Sequence, residues 1–242
     1  MEERKASAGS YDLNKWLFGG YDKDIITMIY GPAGSGKSNF CILAAVSQAR
    51  KGKKIIFIDT EGGFSVDRFK QIAKENVEQA LNNIILLKPT NFFEQEQAFF
   101  RLLKEIKTNK QIGLIIVDGM TMLYRLELAE NKEDINKVKE INSKLARQMR
   151  ILAEIARKEN ITVIITNQTY SEFLSESDLR AGKERKIGIV GGDISRYWSK
   201  CIIELKNDNG RRKAILRKHR SLPEKELAFE IIKEGVRKRG WI

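Results

Sequence analysis

Histidine occurs once in these 242 residues, cysteine twice and proline three times. One histidine and two cysteines are too few for a His/Cys transition-metal centre. Cys41 and Cys201 are also far apart and lie in apolar stretches, which speaks against a disulfide framework. Long apolar runs are missing too: none nears the roughly 20 residues that cross a bilayer. The opening residues MEERKASAGSYDL hold no apolar h-region, so they do not read as a secretion signal. These gaps predict an intracellular protein. The composition, 42% hydrophobic and 31% charged, is that of a globular chain, and the length suits one α/β domain better than two.

Acidic residues are outnumbered by basic ones, 32 to 44, for a net charge of +12. The excess is uneven. Between Arg180 and Arg220 stand 13 basic residues, beginning with Arg180, Lys183, Arg185 and Lys186, against four acidic ones, so this segment carries +9. Such clustering suits a polyanionic partner, nucleic acid above all. A solvated surface in a Lys/Glu-rich protein is the plainer alternative.

Near-continuous apolar runs at 24–31, 54–59, 83–88, 113–119 and 161–167 have the pattern of strands buried on both faces of a parallel sheet. Helical periodicity separates them. Val66, Phe69, Ile72 and Ala73 share a face in 65–76. Phe99, Leu102, Leu103 and Ile106 do so in 93–108, and Ile135, Val138, Ile141, Leu145, Met149, Leu152 and Ile155 in 132–158. Right-handed crossovers then give a doubly wound sheet with its ligand at the carboxyl ends of the strands. From Gln168 to Gly192 no period is evident. Residues 198–206, 211–219 and 227–232 predict short strands, with a hairpin turn at Asn209-Gly210 and another turn at Glu234-Gly235. The expected architecture is one domain over 1–242: an α/β core with a mostly parallel sheet flanked by helices, and antiparallel C-terminal strands.

GPAGSGKS, Gly31 to Ser38, matches G-x-x-x-x-G-K-[ST] at every fixed position, directly after a predicted strand and opening a predicted helix. In such a loop the backbone N–H groups curl around phosphates at a helix N-terminus. The nucleotide-binding candidates are therefore Gly31, Pro32, Ala33, Gly34, Ser35, Gly36, Lys37, Ser38 and Asn39. Lys37 would reach the β/γ oxygens of ATP, and Ser38 would ligate Mg²⁺. Asp118 ends the buried run LIIVD and is the second candidate for the Mg²⁺ shell. In FIDTEGGF, Asp59 and Glu61 lie at a strand's carboxyl end. Glu61 can act as a general base on a water aimed at the γ-phosphate, or as an acid at the N-terminus of the helix starting near Ser65. In VIITNQ, Asn167 and Gln168 can sense a phosphate or orient water, or satisfy their own turn.

These motifs, in this order and spacing, resemble the RecA superfamily of recombinase ATPases, and its archaeal and eukaryotic branch in particular. FIDTEGGF and VIITNQ are similar to that branch almost letter for letter. YDLNKWLFGG, Tyr11 to Gly20, resembles the segment introducing its core, and IGIVGGDISRYWSKCIIELK, Ile187 to Lys206, its second DNA-binding loop and the following strand. The resemblance implies a RecA-like P-loop ATPase core using ATP and Mg²⁺. It makes Glu61 the catalytic glutamate, beside Lys37, and Gln168 the glutamine linking γ-phosphate to the first DNA loop. Arg68 takes the place of an arginine that stacks on adenine, with a surface helix arginine as the alternative. Lys218 and Arg220, in KHR, fall where related ATPases send basic residues across a subunit interface to a neighbour's nucleotide, or they contact DNA.

Relative to full recombinases, the sequence shows no N-terminal helical DNA-binding domain and no phenylalanine before Phe18 that would plug a neighbouring subunit. The resulting expectation is an ATP-binding accessory protein of DNA repair and homologous recombination, acting near the nucleoid with other repair proteins. It would have weak ATPase activity and no autonomous strand exchange, and a homo-oligomer is possible. DNA would be held without sequence preference, single strands included, with Arg196, Lys200, Arg211, Arg212 and Lys213 as contacts. The rivals are a DNA-stimulated strand-exchange ATPase and a KaiC-like regulatory ATPase acting on proteins.

Overall fold

The computed structural model describes residues 4–171, 187–189 and 191–240. In chain order the elements are β1 (Lys5–Ala6), α1 (Tyr11–Trp16), β2 (Tyr21–Asp22), β3 (Ile26–Gly31), α2 (Lys37–Arg50) and β4 (Lys54–Asp59). Next come α3 (Val66–Ala73), α4 (Val77–Leu81), β5 (Ile84–Leu87), α5 (Phe92–Thr108), β6 (Ile112–Asp118), α6 (Met122–Glu130), α7 (Ile135–Glu159) and β7 (Thr162–Ser171). The chain finishes with β8 (Ile187–Ile189), α8 (Gly192–Trp198), β9 (Ser199–Asp208), β10 (Arg211–Lys218), β11 (Lys225–Ile232) and β12 (Gly235–Lys238).

One twisted sheet runs β12-β11-β10-β9-β3-β7-β6-β4-β5, with β8 paired to β7. The pairings from β9 through β5 are parallel, and those from β9 to β12 antiparallel. Helices cover both faces, so the central strands are apolar on both sides, as their unbroken runs require. One core forms around Phe40, Phe57, Phe69 and Phe229. The other gathers Met28, Ile115, Val117, Leu145 and Met149. Phe57 and Phe64, and Phe40 and Phe229, meet edge to face, the arrangement aromatic quadrupoles favour.

The expected fold class is the observed one, and the departures are local. The periodic segment 65–76 is broken by left-handed backbone at Lys74 and Asn76, so a short α4 follows α3. Within the predicted stripes, Val66 and Ile135 are exposed while Phe69, Ile141 and Leu145 are buried. The turn at Glu234-Gly235 does not end the sheet but leads into β12. Asn209 and Gly210 both take positive φ, as the hairpin joining β9 to β10 requires. Cys41 and Cys201 are buried and unpaired, and burial pushes the Cys201 thiol up to about 12. Among the described residues no helix is long and apolar enough to cross a membrane.

Candidate nucleotide site

Parallel register brings the motifs together. Gly31 at the end of β3 pairs with Gln168 on β7, and Asp59 on β4 pairs with Asp118 on β6. β7 and β6 are themselves neighbours, so four motifs from distant parts of the chain share the carboxyl edge of the sheet. After Gly31 the chain turns tightly into α2. Gly36, its N-cap, has φ 109°, a left-handed geometry that side chains rarely tolerate. A Cβ on Gly31 would meet the Leu205 carbonyl at 2.3 Å, so the loop packs directly on β9.

Lys37 is buried, and its Nζ donates to the Gly31 and Pro32 carbonyls, both at 3.0 Å. Burial lowers its pKa, opposed by Glu61 and Asp118. Pro32, Ala33 and Gly34 form the exposed crest of the loop, while Ser35 is buried with its hydroxyl unpartnered. Asp118 is 1% exposed. Its Oδ1 accepts from Thr166 Oγ1 at 2.6 Å, and Oδ2 has no hydrogen-bond partner among the described residues. Burial raises its pKa, opposed by the Ser38 and Thr166 hydroxyls.

Gly63 faces these groups. A Cβ there would lie 2.8 Å from Ser38 Oγ and 3.0 Å from Asp118 Oδ2. An unpartnered buried carboxylate oxygen and a hydroxyl thus border one small cradle, and hard oxygen donors are what Mg²⁺ takes. Ser38 and Asp118 fit a magnesium shell. Among the described residues no three or more His, Cys, Asp or Glu side chains are grouped so that they could hold a metal ion by themselves.

Asp59 plays a different part from Glu61. Its buried carboxylate accepts from the Gly63 and Phe64 N–H groups at 2.9 and 3.0 Å, which shapes the Gly62-Gly63 turn. Thr60 Oγ1 donates to the Asp118 and Gly119 carbonyls, locking that turn to β6. Glu61 is exposed and does not cap α3. Ser65 does, its Oγ accepting from Arg68 N. Glu61 Oε2 instead accepts from Gln168 Nε2 at 2.7 Å. Of the two amides, Asn167 is buried beside Thr121 and Ser195. Gln168 alone reaches the site. Gly63 and Thr166 are the contributors that motif reading passed over, though both lie inside the quoted motifs.

Arg68 is a clamp. Its Nε donates to Asn39 Oδ1 at 2.7 Å, while its terminal nitrogens donate to Gln71 and to the carbonyls of Ile232, Lys233 and Gly235. The guanidinium plane thereby ties α3 and α2 to the β11–β12 turn, with only its faces left for stacking. Arg68→Ala should destabilise the protein by about 1.5–3 kcal/mol in urea unfolding, the range for hydrogen bonds to a charged group. Arg68→Lys should recover little, because an ammonium cannot reproduce the fork. Equal stability of Arg68→Ala and the parent would refute this clamp.

The described part of the basic segment is not one patch. Arg196 and Lys200 lie at the amino end of β9, and Lys218 and Arg220 near them, since Lys218 pairs with Ile202. Arg211, Arg212 and Lys213 lie at the other end of the same strands, about 26 Å away over eight residues. Acids from outside the segment also neutralise part of it. Arg220 pairs with Asp22 and Asp24, Lys213 with Glu226, and Arg217 with Glu224 as well as Glu204. Counting charge along the chain therefore overstated the local field. Arg180, Lys183, Arg185 and Lys186 lie outside the described residues. Lys218 Nζ donates to the Arg196 and Ser199 carbonyls. Lys218 Nζ, at the Ser199 carbonyl opposite Ile26, and Arg220, on Asp22 and Asp24, are turned to the amino end of β3, away from the loop at its carboxyl end.

The chain matches the Rad51 family over residues 3–239. It is 40% identical over 228 residues to a DNA repair and recombination protein RadB from Methanobrevibacter smithii, covering 93% of this chain and 92% of that protein. The RadB protein of Methanocaldococcus jannaschii is 40% identical over 93% of this chain and 98% of its own length. That of Methanococcoides burtonii is 42% identical over 93% and 94%. A solved structure, the crystal structure of the RadB recombinase, superposes with a TM-score of 0.75 at 31% identity, covering 97% of this chain and all of that one. With its phosphate loop, buried Asp118 and paired Glu61 and Gln168 on a mostly parallel sheet, this chain belongs to the Rad51 family.

Proposed function

We propose that the protein is an ATP- and Mg²⁺-binding accessory factor of DNA repair and homologous recombination, with slow hydrolysis and no strand exchange of its own. The observation that carries this reading is the convergence of Lys37, Ser38, Asp118 and Gly63, with Glu61 hydrogen-bonded to Gln168 beside them. In it the loop 31–38 cradles the phosphates, Ser38 and Asp118 hold the metal, and Glu61 orients the attacking water. The bound Mg²⁺ would neutralise charge developing on the phosphates. A γ-phosphate touching Glu61 or Gln168 would be felt by both through their hydrogen bond, and so at the end of β7.

The placement of two cations supports slow turnover. Lys218 and Arg220 are too distant to stabilise charge on the chain's own nucleotide, and Arg220 is held by Asp22 and Asp24. The relatives are named as DNA repair and recombination proteins, and the net charge of +12 suits a DNA-bound role.

Steady-state ATP hydrolysis, with and without single-stranded DNA and with Lys37→Ala as the blank, tests this reading. A slow rate that DNA hardly changes and that Lys37→Ala abolishes is expected. Strong stimulation by DNA would make the protein an active recombinase and overturn the accessory role. DNA-independent ring assembly without DNA affinity would favour a regulatory ATPase instead.

A further inference from the structure

At the end of the sheet opposite the phosphate loop lies a concavity of about 320 Å³, walled by Arg157, Lys200, Lys218 and Arg220 with Asp24 and His219. Arg157 comes from the last turn of α7, Lys200 from the start of β9 and Lys218 from the end of β10. Arg220 is neutralised by Asp22 and Asp24. Among the described residues no carboxylate pairs with Arg157, Lys200 or Lys218. Lys218 gives two of its three N–H groups to carbonyls. A helix dipole accounts for one cation at the end of α7, but not for two more converging on it from separate strands.

Beside this concavity stands Tyr197, 71% exposed. The Lys200 ammonium lies 5.7 Å from its ring centroid, and Trp198 braces it edge to face at 5.4 Å. A large, exposed, braced aromatic next to uncompensated cations is the composition of a platform for single-stranded nucleic acid, where phosphates meet cations and bases meet rings.

We infer that this end of the sheet binds single-stranded nucleic acid, Arg157, Lys200 and Lys218 holding a backbone phosphate while Tyr197 stacks a base. The inference deepens the DNA-binding part of the function proposed above and rests on it. It adds Arg157, which lies outside the basic segment, and Tyr197, which carries no charge.

The two halves of the site have separable signatures. Binding of the full chain to a fluorescein-labelled oligothymidylate is measured by anisotropy across a salt series. Arg157→Ala combined with Lys200→Ala should weaken binding and flatten the salt dependence by about 0.7 in log–log slope for each phosphate no longer neutralised. Tyr197→Ala should weaken binding roughly tenfold with the slope unchanged. Lys70→Ala combined with Lys104→Ala removes the same charge from exposed helix positions elsewhere and should leave the slope as it was.

An unchanged slope in the Arg157/Lys200 variant, or an equal change in the control, overturns the phosphate site. Unchanged affinity in Tyr197→Ala overturns the stacking. An unchanged slope together with loss of inorganic pyrophosphate binding, both measured in a Lys37→Ala background that silences the chain's own phosphate loop, would assign the cations to a nucleotide and overturn the nucleic-acid assignment. If the parent chain itself fails to bind the oligonucleotide, the DNA-binding function falls rather than this site alone.

Discussion

Gly63→Ala should fold as the parent does and lose roughly 100-fold in Mg²⁺-dependent ATP hydrolysis, the scale on which small misplacements at a reacting centre act. Replacing glycine by alanine is ordinarily mild, and here the backbone is not in the left-handed region, so the fold itself is not strained. The trouble is space. The new Cβ would sit 2.8 Å from Ser38 Oγ and 3.0 Å from Asp118 Oδ2, closer than carbon and oxygen tolerate. The loop cannot retreat freely, because Asp59 holds the Gly63 and Phe64 N–H groups and Thr60 is bonded to β6. Ser38 must therefore rotate away, and the methyl group occupies the cradle assigned to the metal. Circular dichroism and thermal melting should match the parent, while a magnesium titration of hydrolysis should show the defect. Wild-type turnover in a folded Gly63→Ala variant would show that the metal does not sit between Ser38 and Asp118.

Asp118→Asn should raise stability and lower turnover. The carboxyl is buried, and burial raises its pKa above the ordinary carboxylate value. The charged form is thus less favourable in the folded protein than in the unfolded chain. Asp118 costs stability at neutral pH, and that cost is relieved as pH falls through the raised folded value toward the unfolded one. Asparagine keeps the acceptor for Thr166 Oγ1 and removes the charge. Without Mg²⁺, the variant should melt at higher urea than the parent at pH 7.5, with the gap narrowing as the pH is lowered. Hydrolysis should fall at least 10- to 100-fold, the loss seen even for groups that only support a metal ligand. A variant less stable than the parent at neutral pH would contradict the reading of Asp118 as a carboxylate whose charge burial disfavours.

Much of the site was legible because each part of it is local. The spacing of Gly31, Gly36, Lys37 and Ser38 encodes a loop that closes within eight residues, and the apolar run before Asp118 encodes a buried strand with a carboxylate at its end. Glu61 was ambiguous between helix cap and active-site acid for the same reason, since both readings are local. Its bond to Gln168 lies 107 residues away, and no spacing rule reaches that far. Arg68 is similar, its carbonyl partners lying more than 160 residues on. The short helices α1, α6 and α8 escaped notice because two turns or fewer, or a weakly amphipathic stretch, give too little periodicity to read.

By itself the sequence determined the α/β alternation, the phosphate loop, the carboxylate at the end of β6 and the hairpin at Asn209-Gly210, since these depend on residue type and short-range spacing. Only the tertiary structure decided which charges remain free. Ion pairing is set by proximity in space, and Asp22, Asp24, Glu224 and Glu226 reach the basic strands from outside the segment that looked uniformly positive. The same folding splits that segment between two ends of the sheet and brings Arg157 to one of them. Antiparallel strands reverse direction, so Lys200 and Arg211 lie at opposite ends of the β9–β10 pair while Lys200 and Lys218, 18 residues apart, become neighbours.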